Sequence, residues 1–426
     1  MNKIQFVLAL LILLATFQLQ AQNNSSSPYS RYGIGDIANQ RFGQFQGIGG
    51  TSIGIRNSYH LNFTNPASYT AIDTLSFIWE FGVNGKYNKL STSSLSQEKY
   101  DANFAYMIAG FPINSWWYSG FGLLPYSNVG YTITSDSIYS TAWGDTMILD
   151  SHYSGSGGIN QVYWGNAFKL SKNFSLGFNI KYLFGTIDHT RTANVLNSDG
   201  QINPDNFSVK ESQQLVISDF TYDLGFQYKN KINKKLGYTA GLVFSSESKI
   251  NAFESVFTEK VNAYGFTDTI TNTEGEKDHF LLPLNLGTGF SIYNERFLFA
   301  ADYSIQNWAN STFLGKKDSL VNLSRISAGM EFIPNYRSLK YLARIRYRIG
   351  AKYEKSYLNL NGQQLTDYSL SCGLGLPLRK RKSTININFE IGKRGTNSNN
   401  LIQENYGLIS INLSLHDIWF VRRKFD

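Results

Sequence analysis

The sequence lacks most of the features that stabilise soluble and secreted domains. Its one cysteine, Cys372, cannot form a disulfide within the chain. Charged residues make up only 16% of the 426 residues and there are 8 prolines, whereas aromatic residues reach 15%. Beyond the first residues, no apolar run approaches the ~20 residues of a membrane-spanning helix. These absences argue against a disulfide-stapled domain and a helical membrane protein, and a large soluble all-β domain fits the composition poorly.

Strict alternation of apolar and polar residues is what the chain has instead. From Thr74, large apolar residues fall on one face of a strand and polar residues on the other, as in the run 75–83 and again in 385–391. Period-2 alternation with long aromatics is a strong strand signal. We predict about 14 strands, at roughly 74–91, 99–111, 115–133, 157–171, 173–192, 211–231, 235–255, 276–293, 296–310, 320–334, 338–355, 363–378, 383–395 and 403–417.

The connections between these strands alternate between short and long. Short connections are predicted near 112–114, 172, 230–234, 294–295, 335–337 and 379–382, and long ones near 134–156, 193–210, 256–275 and 396–402. Short periplasmic turns and longer outer loops are typical of bacterial outer-membrane barrels. The sequence therefore predicts an all-β fold, a transmembrane antiparallel β-barrel.

The ends of the chain indicate an exported protein. Lys3 and the apolar run 6–17 predict a signal peptide over residues 1–21, with removal after Ala21. Residues 22–73 are glycine-rich and aperiodic, and we expect them to form a plug, or hatch, in the lumen of a barrel over residues 74–420. The last six residues, 421–426, form a basic tail. The expected location is the outer membrane of a Gram-negative bacterium.

Several motifs occur in an order that resembles the FadL-type family of outer-membrane proteins, which transport long-chain fatty acids and hydrocarbons. The glycine-rich stretch with Gly49 and Gly50, followed by Asn65-Pro66-Ala67, looks like the hatch of that family. Leu281-Leu282-Pro283 and the stretch from Asp302 to Trp308 resemble its later strands. The resemblance extends over essentially the whole chain after the predicted signal peptide.

The resemblance implies passive transport of small hydrophobic molecules and a kinked third strand that opens sideways to the membrane. Pro125 lies in the predicted third strand. Because proline cannot donate to the ladder, it is our candidate for that lateral opening, although a bulge without a transport role fits equally well. The outer loops are polar and contain no recognisable apolar binding loop, which leaves the nature of the ligand open.

Alternation also assigns a set of charged residues to the lumen, since a cation facing lipid costs ~2–4 kcal/mol at mid-depth. The expected lumen charges are Arg344, Arg346, Arg348, Glu331, Asp302 and Glu390. One interpretation is a basic ladder that binds the carboxylate of an amphipathic ligand. The other, which we favour, is a salt-bridge network that holds the hatch.

Two functions follow from these patterns. The first is passive uptake of hydrophobic or amphipathic small molecules; the alternative is a non-transporting barrel that acts as subunit or adaptor of an outer-membrane secretion or surface-assembly complex. No catalytic or metal-binding spacing is present, so we expect neither an enzyme nor a cofactor. The expected partners are outer-membrane lipid and lipopolysaccharide, a hydrophobic ligand or proteins of such a complex, and not nucleic acid.

Overall fold

The computed structural model describes residues 27–140, 146–196, 207–262, 264–313, 320–378 and 383–419. The predicted signal peptide (1–21), the basic turn at 379–382 and the basic tail (421–426) lie outside these ranges. The helices are 3₁₀ turns at Pro28–Arg31, Gly43–Ile48, Pro66–Ala71, Trp308–Asn310 and Tyr341–Arg344. In the part of the chain that the structure describes, no helix is long and apolar enough to span a membrane.

Strands form almost all of the remaining structure. They are β1 Asp36–Ile37, β2 Ser76–Ser91, β3 Ser96–Pro112, β4 Trp117–Ser140, β5 Thr146–Lys169, β6 Phe174–Leu196, β7 Phe207–Lys231, β8 Gly237–Ser245, β9 Ser248–Asn262, β10 Thr267–Leu282, β11 Asn285–Tyr293, β12 Phe297–Gln306, β13 Leu323–Phe332, β14 Arg346–Leu360, β15 Gln363–Pro377, β16 Thr384–Arg394 and β17 Gln403–Ile418.

Consecutive strands pair antiparallel around a closed wall. The last strand, β17, pairs with β2 along the whole length of both strands, from Gln403↔Ser91 to Ile418↔Ser76. Strands β8 and β9 lie end to end and together form one strand of the wall, and β10 and β11 together form the next one. The short interruptions within these two composite strands, at Ser246 and Pro283, face each other. The result is a barrel of 14 strands, as the sequence predicts.

The two faces of the wall have opposite chemistry. On β2, the outward side chains of Trp79, Phe81 and Val83 are exposed, whereas the alternate residue Glu80 is buried. The same alternation continues around the barrel, so the exposed outer face is apolar, and the buried inner face carries many polar side chains as well as apolar clusters. A closed sheet with an apolar exterior and a polar interior suits a wall that meets lipid outside.

The long outer loops of the prediction are shorter in the structure because the strands extend further. Strand β4 continues to Ser140 and β5 begins at Thr146, inside the predicted loop 134–156, and the strands flanking the predicted loops 193–210 and 256–275 are extended similarly. In β4, the sequence pattern misses the extension because Thr134 to Ser137 place polar residues on both faces, so the period-2 signal disappears although the ladder continues.

The connection between β13 and β14 corrects the prediction in the opposite direction. The sequence predicts a short turn at 335–337 followed by a strand from 338, but β14 begins only at Arg346. Residues 333–345 form a long connection that contains the 3₁₀ helix Tyr341–Arg344. Arg344 therefore lies in this connection and does not belong to the lumen ladder. The alternating residues from Tyr341 to Ile345 mimic a strand, but they make a helical turn.

Candidate functional site

The inner face of the barrel holds the N-terminal segment, defined here as Ser27–Asp73. Its residues from Phe42 to Thr70 are half-buried or buried, and its helix Gly43–Ile48 is buried throughout. This segment packs on inward side chains of strands all around the wall.

Glycines in the wall let the backbone of this segment approach the sheet directly. Five inward-facing glycines, which we call the wall glycines, meet its main chain: Gly177, Gly241, Gly289, Gly329 and Gly350. A Cβ at any of them would overlap main-chain atoms between Ile48 and Ala67. An inward glycine inside a strand marks the close approach of another backbone.

Polar side chains from the wall also bind the main chain of the segment. The Asp302 carboxylate accepts hydrogen bonds from the backbone N–H groups of Ser52 (2.6 Å) and Ile53 (2.9 Å). Glu80 accepts one from Leu61 N–H at 2.9 Å. Further wall donors reach segment carbonyls, and they are Asn179, Gln227, Ser291, Asn388 and Ser414. These anchors lie on strands distributed around the barrel, so the segment is fixed from many sides.

The predicted hatch residues fold the segment on itself. Gly49 and Gly50 adopt φ of 72° and 75°, a left-handed conformation that glycine adopts at no steric cost. The Gly49 N–H donates to the Ser371 hydroxyl at 2.9 Å. Asn65 caps the helix that begins at Pro66, accepting from Ala67 N–H at 3.2 Å, and its side-chain amide donates to Ile53 O at 2.9 Å.

The predicted lumen charges, apart from Arg344, are inside the barrel and largely satisfy one another. Arg348 contacts Glu331 at 2.7 Å and the Asn386 amide oxygen at 2.7 Å, and Arg346 contacts the other Glu331 oxygen at 2.9 Å. Glu390 pairs with Lys352 at 3.0 Å. Such mutual pairing favours the salt-bridge interpretation over a basic ladder with free capacity for a ligand carboxylate.

Pro125 lies where β4 leaves its neighbour. Strands β3 and β4 pair over six residues, from Pro112↔Tyr118 to Met107↔Leu123, and Pro125 is two residues beyond the last pair. The ladder between β4 and β5 also slips at Pro125. Beyond Met107, toward Ser96, β2 is the only described strand that pairs with β3. The facing edge of β4 pairs at Ser127 and Asn128 with β1. We call this interruption of the wall the seam.

A cavity of about 400 Å³ lies behind the seam. Phe104 and Ala105 of β3 and Pro125 and Tyr126 of β4 line it, so both edges of the seam border this space. Its remaining lining is strongly charged, with six basic and seven acidic residues. They are Arg41, Lys86, Lys181, Arg325, Lys352 and Arg394, and Asp36, Asp101, Asp223, Glu354, Asp367, Glu390 and Glu404.

Most of these lining charges form close pairs. Lys181 contacts Asp223 at 2.6 Å, and Arg394 contacts Asp36 at 2.8 Å. The pair Arg325–Glu354 is looser, at 3.7 Å. The mixture of signs and the pairing make the cavity polar without a large excess of either charge.

Burial perturbs two arginines of the N-terminal segment. Burial, and then the nearby Arg325, lowers the pKa of Arg41 to about 9. Burial lowers the pKa of Arg56 to about 10, although this guanidinium donates to Gln227 at 3.0 Å and to Thr70 at 2.7 Å. Both groups keep their charge at neutral pH, so each of them adds a cation to the lumen.

An apolar cluster fills the lumen beyond the cavity, on the side of the long hairpins. Ile187 of β6, Ile217 of β7 and Ile250 of β9 are buried, and they belong to the same cluster as Tyr29 and Trp308. The lumen of a water-filled barrel is polar, so a channel open to water would carry polar side chains at these inward positions. The cluster therefore occupies this side of the lumen with hydrocarbon.

Sequence reasoning misses two kinds of residue. The wall glycines look like ordinary strand glycines, although their signal is visible as glycine at inward positions on neighbouring strands. Arg41 and Arg56 escape notice because they lie in an aperiodic stretch, where no pattern says which way a side chain points. Among the described residues, no group of histidine, cysteine and carboxylate side chains is arranged to hold a metal ion.

Comparison with known families places the chain. A family model described as BamG matches residues 1–426. The chain belongs to the BamG family. No curated protein matches it.

Solved structures show which fold this BamG-family chain shares. It is similar to the toluene transporter TodX of Pseudomonas putida, with a TM-score of 0.57 and 14% identity over 91% of this chain and 100% of that one. It is also similar to the monoaromatic hydrocarbon channel CymD (TM-score 0.55, 12% identity, 89% of this chain and 97% of that one). It is similar as well to a FadL homologue of Pseudomonas aeruginosa, with a TM-score of 0.53 and 12% identity over 91% of this chain and 99% of that one. The BamG-family chain is therefore a β-barrel of FadL-type fold.

Proposed function

We propose that this protein is a non-conducting outer-membrane barrel that serves as a subunit of a larger outer-membrane assembly, with the N-terminal segment as a fixed plug. The observation that carries the proposal is the direct packing of the segment backbone on the wall glycines. A gate must be able to leave its seat, but this contact has no side-chain layer that could slide or rearrange. The anchors at Asp302 and Glu80 add to the same restraint.

The chemistry of the lumen also supports a role other than hydrocarbon transport. Sites for apolar ligands are lined mainly by hydrophobic and aromatic side chains. The cavity behind the seam is lined by thirteen charged residues, six basic and seven acidic. Transfer of an apolar molecule into such a space would remove water from these charged groups without replacing its hydrogen bonds.

The long connection between β13 and β14 offers a surface for a protein partner. Leu339 is fully exposed in it and Leu342 is 70% exposed, and Tyr336 and Tyr341 are exposed beside them. Exposed apolar clusters of this kind mark contacts with proteins or membranes. The other described connections at this end of the barrel are short turns, so this one projects beyond them.

Passive uptake of hydrophobic or amphipathic molecules is the second candidate. The seam at Pro125 favours it, because an interruption of the wall would let a ligand leave sideways into the membrane. The likeness to channels described as carrying toluene or monoaromatic hydrocarbons supports the fold that such uptake uses.

Purification in mild detergent separates the two candidates. The proposed function predicts stoichiometric protein partners, which are lost from the double variant Leu339→Ser/Leu342→Ser while the barrel stays folded. The matched control is Tyr264→Ser/Phe266→Ser, which removes two exposed apolar side chains at the opposite ends of the strands. Retained hydrocarbons without any protein partner would instead support uptake.

The processing of the chain is a separate proposal. We propose that residues 1–21 are removed as a signal peptide during export, that residues 22–73 belong to the plug and that residues 421–426 form a basic tail. Sequencing the N-terminus of the protein isolated from outer membranes should give Gln22 as its first residue. An N-terminus at Met1 would contradict export by a cleaved signal.

A further inference from the structure

The seam lies in the apolar part of the wall, where it faces lipid. The pairing of β3 with β2 gives the depth of the seam in the wall. Met107, where the seam starts, pairs with Phe81, and Tyr100 pairs with Tyr87. Met107, Phe104 and Tyr100 are exposed on the outer face. The rings of Tyr87 and Tyr100 lie 5.2 Å apart, and such aromatic pairs are typical of the boundary between hydrocarbon and water.

Within the described ranges, one edge of β3 has no neighbouring strand at the seam. Residues 96–106 of β3 pair with β2 on one side, and no described strand pairs with their other side. The seam is therefore an interruption of the wall at which the cavity borders lipid. An amphiphile suits such a place, because its polar part can enter the cavity while its apolar part stays in the bilayer.

The cavity behind the seam contains buried polar atoms without hydrogen-bond partners among the described residues. Two are donors, the Nε atoms of Arg41 and Arg325, and three are acceptors, on Asn84, Gln161 and Glu404. All five residues line the cavity. Arginine donors suit a phosphate group, whereas the acceptors suit N–H or O–H groups of the same molecule.

We propose that this cavity binds the headgroup of a phosphate-bearing membrane lipid, with the acyl chains leaving through the seam into the bilayer. The volume of about 400 Å³ falls within the ~300–1,000 Å³ of small-ligand sites. Gln40 lies between the seam and the arginine donors. Its amide donates to Pro125 O at 3.1 Å, and the next residue in the chain is Arg41. A phospholipid and a phosphorylated glycolipid share this chemistry, and their masses distinguish them. The site is compatible with either candidate function.

Mass spectrometry of lipid retained by the folded, purified barrel tests the proposal. We expect about one phosphate-bearing lipid on the wild type. Ala105→Trp would fill the cavity edge of the seam and should lower retention about tenfold, equivalent to ~1.4 kcal/mol. Ala102→Trp is the matched control, because Ala102 is exposed on the same strand and does not line the cavity.

A double variant tests the chemistry of the site independently of its shape. Arg41→Gln/Arg325→Gln removes the two donors and should also lower retention about tenfold. Folding of each variant is checked by the heat-dependent shift of the barrel in gel electrophoresis. Equal retention by all variants, or retention only of fatty acids and hydrocarbons without phosphate, would overturn the proposal. Neither result depends on whether protein partners are found.

Discussion

Two parts of the N-terminal segment contact the barrel in different ways. In the glycine-packed part, from Phe42 to Ala71, the backbone lies directly on the wall glycines and its N–H groups are bound by wall carboxylates. The cavity part, from Asp36 to Arg41, borders the charged cavity, and Arg41 makes a hydrogen bond of 3.2 Å to the Ser304 hydroxyl. The glycine-packed part is built into the wall, whereas the cavity part leaves polar groups available to a ligand.

Substitution of a wall glycine should have the largest effect on folding. Gly350→Leu would place its side chain where the main chain of Ile48 and Gly49 lies. These main-chain atoms cannot move aside as the end of a flexible side chain can. We expect loss of the folded barrel, measured by heat-dependent gel migration. Gly85→Leu is the control, since Gly85 faces outward with open space around its Cβ position. A folded Gly350→Leu barrel with its segment in place would contradict close backbone packing.

Breaking the buried charge cluster should have the next largest effect. Glu331→Gln leaves Arg346 and Arg348 without their carboxylate and should cost ~3–5 kcal/mol in the free energy of unfolding. Glu211→Gln is the matched control, because Glu211 pairs with Arg191 at 3.2 Å on the exposed surface and should cost at most ~1 kcal/mol. Urea unfolding in detergent measures both. Equal costs would mean that the Glu331 cluster is effectively solvated.

Removal of one anchor should weaken the glycine-packed part more modestly. Asp302→Ala leaves the N–H groups of Ser52 and Ile53 without their acceptor, at an expected cost of ~1–3 kcal/mol. Limited proteolysis should then cleave the N-terminal segment earlier than it cleaves the barrel strands. An unchanged cleavage pattern would show that the wall glycines hold the segment without this carboxylate.

The smallest effect is expected in the cavity part. Arg41→Gln should change the free energy of unfolding by less than about 1 kcal/mol, because Arg41 makes one hydrogen bond to Ser304 and its repulsion by Arg325 opposes its attraction to Asp302 and Glu354. The same urea unfolding measures it. A loss as large as that of Glu331→Gln would remove the distinction between the two parts.

The strands are predictable because alternation is a local property of the sequence, and the 14-strand count follows from it. The lumen position of Arg348 and Glu331 follows from the same parity. The position of the N-terminal segment on the wall does not follow from local alternation. Contacts such as that of Gly350 with Ile48 join residues about three hundred positions apart and carry no local pattern. The β13–β14 connection is mispredicted for a related reason, since Tyr341 to Ile345 alternate like a strand while they form a 3₁₀ turn.

Locking the segment to the wall tests the fixed-plug proposal most directly. The hydroxyls of Thr70 and Ser175 lie 2.7 Å apart, so Thr70→Cys/Ser175→Cys in a Cys372→Ser background offers a reversible disulfide between the segment and β6. Conductance and hydrocarbon flux are measured in lipid bilayers before and after reduction. The fixed plug predicts no flux in either state. Flux that appears on reduction and disappears on oxidation would contradict it and establish the segment as a gate.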